Sequence, residues 1–250
     1  MYTRNLTVLP SEASCFGQIK LHNLLNYFQD TASLAVEDLE GTATELMSRG
    51  YAWILTRYEV EITGPLPLLD ESFIIRTFHD PSHGYGTLRV FEVVRPDGTM
   101  LVWAKTSWLL LDLAAGRPVR PVVHLPEITK RDTSPIDPDF QDIPDFPREG
   151  EIMTVPCRIR FHDLDTNRHV NNAVYFEWVF EATPLDLMKY EIRSVSATFR
   201  SGVRWGEKLE MKVAELPSSP GSRNFIYRIE NEGGTGKPRT LFACSWEARS

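Results

Sequence analysis

The chain repeats itself, and that constrains its fold more than any other feature. Asn23, Tyr27 and Phe28 recur 148 positions on as Asn171, Tyr175 and Phe176, and Asp70-Glu71 matches Gly206-Glu207 at a shift of 136. Repetition over such a span marks one supersecondary unit used twice. Each copy predicts one long helix, Leu24 to Leu39 and Asn171 to Leu187, followed by β-rich segments. In the first copy strands are expected at Glu59 to Ile62, Ser72 to Phe78, Thr87 to Val94 and Leu101 to Leu111. In the second they are expected at Ser194 to Phe199, Lys208 to Glu215, Arg223 to Glu230 and Thr240 to Ala248. Pro96-Asp97-Gly98 and Glu232-Gly233-Gly234 read as hairpin turns. A single helix and four or five antiparallel strands bury a core when the helix lies against a curved sheet, so the chain reads as α+β, two such units in tandem.

Between the copies, Ala114 to Gly150 is rich in proline (Pro118, Pro121, Pro126, Pro135, Pro138, Pro144, Pro147) and in acidic residues, with little periodicity. This span reads as a linker without elements of its own, leaving 1–113 and 151–250 as the two domains. Whether it packs on the sheets or hangs free stays open at this level.

Chemistry concentrates in FHDLDTNRHVNNAVYFEWVFEA, residues 161 to 182. Cys157, Ile159 and Phe161 alternate with Arg158, Arg160 and His162, the period of a half-buried strand. Val174, Tyr175, Trp178, Val179 and Ala182 follow at helical spacing, and Pro184 marks the end. Asp165, Asn167 and His169 fall at every second residue, so an extended connection would project all three to one side. They would meet where a helix begins, beside unpaired N–H groups that suit a developing negative charge. A calcium loop is disfavoured, since Arg168 and Val174 stand where glycine and glutamate are needed. Zinc is disfavoured as well, because His162 and His169 lack a second cluster to complete a shell. A purely structural role is also open, with Asn171 or Asn172 capping the helix and His169 packed half-buried.

The string Asp163-Leu164-Asp165-Thr166-Asn167-Arg168-His169-Val170-Asn171-Asn172, with Tyr175 and Trp178, resembles the signature of the acyl-acyl-carrier-protein thioesterases. LLNYFQDTA at 24–32, WILTR at 53–57 and AKTSWLLLD at 104–112 extend the resemblance over nearly the whole chain. It implies that each half is a hot-dog domain, that Asp165, Asn167 and His169 are catalytic, and that an acyl carrier protein bearing a fatty acyl chain is the substrate and partner. The plant members' Glu-Cys pair is replaced by Gly202 and Val203, which points to chemistry on the aspartate, as general base toward water or as nucleophile through an anhydride, rather than attack by a thiol. On this reading the oxyanion is held near Val170, Asn171 and Asn172, and His169 suits proton traffic at neutral pH. No cofactor and no metal are needed. At a shift of 148 the three residues fall on Gly17, Ile19 and Leu21, so only the second copy carries the chemistry. The first is then free to shape an acyl pocket, with Leu25, Phe28, Leu34, Leu46 and Trp53 as its candidates. Arg158, Arg160, Lys189, Arg193, Arg200 and Arg204 surround the motif in sequence and are the candidate docking residues for the carrier.

Composition removes other classes. A net charge of −7 offers no global basis for binding nucleic acid. No apolar run approaches membrane-spanning length and Met1-Tyr2-Thr3-Arg4 shows no signal segment, so no membrane insertion and a cytoplasmic protein are expected. Three cysteines, Cys15, Cys157 and Cys244, fit reduced thiols better than a disulfide framework. Association as a homodimer is compatible with this reading. The alternatives are an acyl-coenzyme A thioesterase using the same residues and a non-catalytic acyl- or carrier-binding module.

Overall fold

Side chains that alternate across a strand build both sheets, and one amphipathic helix covers each. The computed structural model describes residues 1–81, 84–147, 149–234 and 236–249. Its chain divides into two units, Met1–Phe140 and Gln141–Ser250. The first contains β1 (Tyr2–Thr7), α1 (Leu21–Leu34), α2 (Ala43–Ser48), β2 (Tyr51–Ile62), β3 (Ser72–Asp80), β4 (Gly86–Val94), β5 (Met100–Asp112), β6 (Arg117–Val119), α3 (Pro121–His124) and α4 (Pro126–Lys130). Its strands are antiparallel in the order β1-β3-β4-β5-β2, with β6 pairing β5. The second contains β7 (Ile152–Cys157), α5 (Asn172–Ala182), β8 (Tyr190–Phe199), β9 (Leu209–Leu216), β10 (Ser222–Asn231) and β11 (Thr240–Ala248), in the antiparallel order β8-β11-β10-β9-β7. Each half is thus a helix against an antiparallel sheet, and the chain is the tandem α+β double hot-dog. Among the described residues no helix is long and apolar enough to cross a membrane.

In the first half α1 buries Leu21, Leu24, Leu25, Phe28 and Thr31, a stripe at helical spacing. Phe28 stacks on Phe91 of β4 with ring centroids 4.7 Å apart. In the second half α5 seats Phe176 on Phe242 at 5.2 Å and Phe180 on Trp246 at 5.0 Å, and Thr183 Oγ1 shares a 2.7 Å hydrogen bond with the Tyr227 hydroxyl. Burying each of these side chains contributes on the order of 1.5–3 kcal/mol. The helix expected to reach Leu187 ends at Ala182 because Thr183 precedes Pro184, and crowding by the proline ring holds it extended at ψ 121°.

The proline-rich span is not free of elements. Pro121 and Pro126 start α3 and α4, where a missing N–H costs nothing and φ is already helical. Leu125 and Ile128 join Val36, Leu46 and Leu110 in a buried cluster. Beyond α4 the chain hydrogen-bonds β3 at His79, through His79 N–H to Asp132 O at 3.1 Å and Ser134 N–H to His79 O at 3.0 Å. Ile136 packs on Leu88 and Val90, and buried Lys105 donates to the carbonyls of Asp137 and Asp139 beside the ring of Phe140. The span up to Phe140 is therefore an ordered strap on the first half. Arg148 lies outside the described residues.

His79 is 3% exposed, and neither ring nitrogen has a hydrogen-bond partner within ordinary distance among the described residues. Burial first, and the neighbouring Arg89 guanidinium second, lower its pKa to about 4.

Candidate active site

The half-buried strand expected through Phe161 is absent. β7 ends at Cys157, and Phe161 is 70% exposed. The cause is Asp163: its buried carboxylate accepts the Arg160 N–H at 2.6 Å and Arg160 Nε at 2.9 Å, winding Phe161–Asp163 into a short 3-10 turn. The connection after it is not extended either. Leu164 bridges Val170, Asp165 N–H donates to His169 O at 2.7 Å, and Arg168 takes a left-handed φ of 60°. Asp165, Asn167 and His169 therefore sit on one tight loop.

Asp165 organises that loop. Its Oδ1 accepts the backbone N–H of Asn167 at 2.8 Å and of His169 at 3.0 Å. Among the described residues no donor is bonded to Oδ2, so one carboxylate oxygen is committed to geometry and the other is open for chemistry. His169 is held by Arg204, whose Nε donates to His169 Nε2 at 3.1 Å. A guanidinium can only donate, so Nε2 is the acceptor and the proton of the neutral ring sits on Nδ1. Asp165, Asn167 and His169 are joined through Asp165 and the loop backbone. No side-chain to side-chain hydrogen bond links them among the described residues.

The expected oxyanion donors separate. Val170 N–H is taken by Val203 O and Asn171 N–H by Asp163 O, both at 2.8 Å. Asn171 caps α5, its Oδ1 accepting Ala173 N–H at 2.9 Å. Only Asn172, at the first turn of α5, keeps an N–H without a protein acceptor among the described residues. Val170 and Asn171 are accordingly structural donors, because the loop uses them to close on its neighbours.

Gly202 and Val203 form a second wall. A Cβ on Gly202 would stand 2.9 Å from His169 Cδ2, and Val203 is fully buried. Gly202→Ala is therefore expected to push the imidazole off Arg204 and lower kcat by about tenfold or more, with stability changed by less than about 1 kcal/mol at this exposed position. Steady-state kinetics beside a thermal melt checks this, and an unchanged kcat would show that the placement of His169 is not critical. Cys157 and Cys244 are poor nucleophiles: burial, then Glu210, pushes Cys157 up to about 12, and burial raises Cys244 well above the ordinary thiol range.

The same loop is built in the first half, and its hydrogen bonds correct the alignment. Ala13 bridges Ile19 as Leu164 bridges Val170. Ser14 N–H donates to Gln18 O at 2.7 Å, and Gly17 has φ 72° where Arg168 has 60°. The shift is thus 151 around the loop, from Ala13 to Leu164, and the counterparts of Asp165, Asn167 and His169 are Ser14, Phe16 and Gln18 rather than Gly17, Ile19 and Leu21. Three residues of offset lie between the helix signal and the loop signal. A carboxylate and an imidazole still occur at these positions only in the second half. Glu207 was visible as the partner of Glu71 in the repeat, but its task was not. Its Oε1 accepts Arg204 N–H at 2.9 Å, and Arg239 pairs with it at 2.5 Å, as Glu71 accepts Leu68 N–H and pairs with Arg95.

The remaining candidates scatter. Leu25 and Phe28 are buried under α1, Leu46 is buried in the α2–α4 cluster with Trp53 packed on it, and Leu34 is 36% exposed and so outside the interior. The 440 Å³ cavity bounded by Tyr85, Arg117, Arg120 and His124 includes none of these five. Of the six basic candidates, Arg160 is tied to Asp163 and Glu177, Lys189 to Asp186, and Arg193 to Glu191 and Glu247. Arg204 serves His169. Arg158 and Arg200 are exposed and have no acidic partner among the described residues.

Comparison with known proteins agrees with this frame in both halves. Residues 1–129 match the model of the acyl-ACP thioesterase N-terminal domain and residues 148–248 that of the C-terminal domain. A chloroplastic acyl-acyl-carrier-protein hydrolase of Cuphea viscosissima is 23% identical over 260 residues, covering 96% of this chain and 62% of that protein. The chain spans about three fifths of the length of the curated relatives it matches. A protein of Lactobacillus plantarum described as an oleoyl thioesterase superposes with TM-score 0.88 at 23% identity, over 100% of this chain and 96% of that one. The 12:0-ACP thioesterase of Umbellularia californica superposes with TM-score 0.83 at 18% identity, over 99% and 94%. Two domain models matched in order along nearly the whole length, on a double hot-dog whose second half alone carries the D-x-N-x-H loop, place this chain in the acyl-ACP thioesterase family.

Proposed function

We propose that the protein hydrolyses the thioester joining a fatty acyl chain to an acyl carrier protein. The observation that carries this reading is the divided role of Asp165, with Oδ1 fixed by the backbone N–H groups of Asn167 and His169 and Oδ2 without a bonded donor among the described residues. The substrate carbonyl faces the start of α5, where Asn172 N–H and His169 Nδ1–H polarise its oxygen. Asp165 takes a proton from water, the water oxygen bonds to the carbonyl carbon, the carbon–sulfur bond breaks, and the proton passes to the leaving thiolate. The products are a free acid and the carrier's thiol. Asn167 positions the water. The family membership and the names of the relatives support the same substrate class.

The test is to incubate the protein with matched acyl chains on carrier protein and on coenzyme A and to quantify released acid. Release from the carrier at a higher kcat/KM is the expected result. Preference for the coenzyme would replace the carrier with coenzyme A as substrate, and binding without release would leave an acyl-binding module.

A further inference from the structure

Two large rings stand in solvent at the rim of this loop. Phe161 is 70% exposed and Trp205 58% exposed, and they meet edge to face with centroids 6.2 Å apart. His162 packs edgewise on Phe161 at 5.6 Å. Both rings belong to the segments that shape the site. Phe161 opens the turn closed by Asp163, and Trp205 follows Arg204, the residue that holds His169.

The fold does not require them. At the shift of 136 that aligns the two turns, Arg204 and Trp205 correspond to Leu68 and Leu69, and at 151 Phe161 corresponds to Pro10. The first half builds the same turn without a ring or a guanidinium. The aromatic pair thus accompanies the chemical loop rather than the architecture. Two exposed rings packed on each other form a rigid apolar platform of the kind that anchors a partner. Arg158, three residues before Phe161, and Arg200, five before Trp205, are exposed and lack acidic partners among the described residues, so the two segments that carry the rings also carry positive charge suited to an anionic partner.

We propose that Phe161 and Trp205 form the platform on which an acidic acyl carrier protein docks, next to the arm that delivers the thioester. This rests on the thioesterase reading above, so the measurement is chosen to be independent of turnover. Carrier protein bearing the phosphopantetheine arm without an acyl group is labelled with a fluorophore, and its Kd for the full chain is read by anisotropy. Phe161→Ala with Trp205→Ala is expected to weaken binding by at least about tenfold, the loss typical of an aromatic anchor pair. Phe161→Leu with Trp205→Leu, which keeps apolar surface and gives position 205 the leucine of the first half, should weaken it in the same direction. Leu68→Ala with Leu69→Ala, on the matching turn, should leave Kd within about twofold. Unchanged Kd in both ring variants overturns the platform. Equal weakening by the Leu68/Leu69 variant overturns it too, as does a change of oligomeric state in the ring variants by sedimentation, which would assign the face to a second copy of the chain. A parent that binds the carrier but hydrolyses nothing supports the platform while refuting the hydrolase. A parent that hydrolyses acyl-coenzyme A but does not bind the carrier does the reverse.

Discussion

Asp165→Asn should abolish most turnover while leaving the loop folded. The asparagine keeps an oxygen that can accept the N–H groups of Asn167 and His169, so the geometry of the turn survives. What it loses is the carboxylate able to take a proton. A fall in kcat of at least about a hundredfold is expected, the range typical of losing a general base and worth about 2.7 kcal/mol of barrier. His169→Ala should fall by a similar factor. Asp165→Ala is the poorer probe, because it also frees two N–H groups and loosens the turn. Circular dichroism must show native folds for each variant. Turnover close to the parent's in folded Asp165→Asn would remove Asp165 from the chemistry and leave it only its structural task.

The second large effect is on stability. His79 is buried without a hydrogen-bond partner for its ring among the described residues, and burial lowers its pKa to about 4 in the folded state against about 6.5 for a free imidazole. Between these values the unfolded chain binds a proton that the folded chain refuses, so stability is lost as pH falls from about 6.5 toward 4. The folded state tolerates the ring only when neutral. The loss attributable to this group is about 2 kcal/mol at pH 5 and about 3 kcal/mol at pH 4. Urea unfolding of the parent and of His79→Gln at pH 7 and pH 5 isolates it from the carboxylates that titrate in the same range. The variant should lose about 2 kcal/mol less than the parent on acidification. Equal losses would show that His79 is hydrated and titrates normally.

Much of this architecture was legible in the residues. The helix stripes and the later strands of each half follow from period alone, and the two-fold repeat was visible through Asn23, Tyr27 and Phe28. Other parts were hidden for identifiable reasons. β2 begins at Tyr51, far ahead of the expected Glu59, because a bulge between Leu55 and Arg57 breaks the alternation that marks a strand. α2 is too short to show a period. The strap from Ala114 to Phe140 looked empty because prolines suppress periodic signals, although they also preset the starts of α3 and α4.

The order of the candidate catalytic set was likewise determined by the sequence alone: a carboxylate, an amide and an imidazole at alternate positions before a capped helix. Three things were decided only by tertiary structure. The loop bends, since Asp165 satisfies backbone donors that an extended strand would have given to a neighbour. Arg204, a candidate carrier-docking residue in the sequence, is bound to His169 because the Gly202–Arg204 segment folds against it, with Gly202 leaving the room. Val170 and Asn171 are spent on closing the loop, which leaves Asn172 as the open donor. Sequence spacing shows which groups are available, but a hydrogen bond has two ends. Which donors and acceptors remain for a substrate is settled only when the partner 35 residues away, as Arg204 is from His169, has been brought into place.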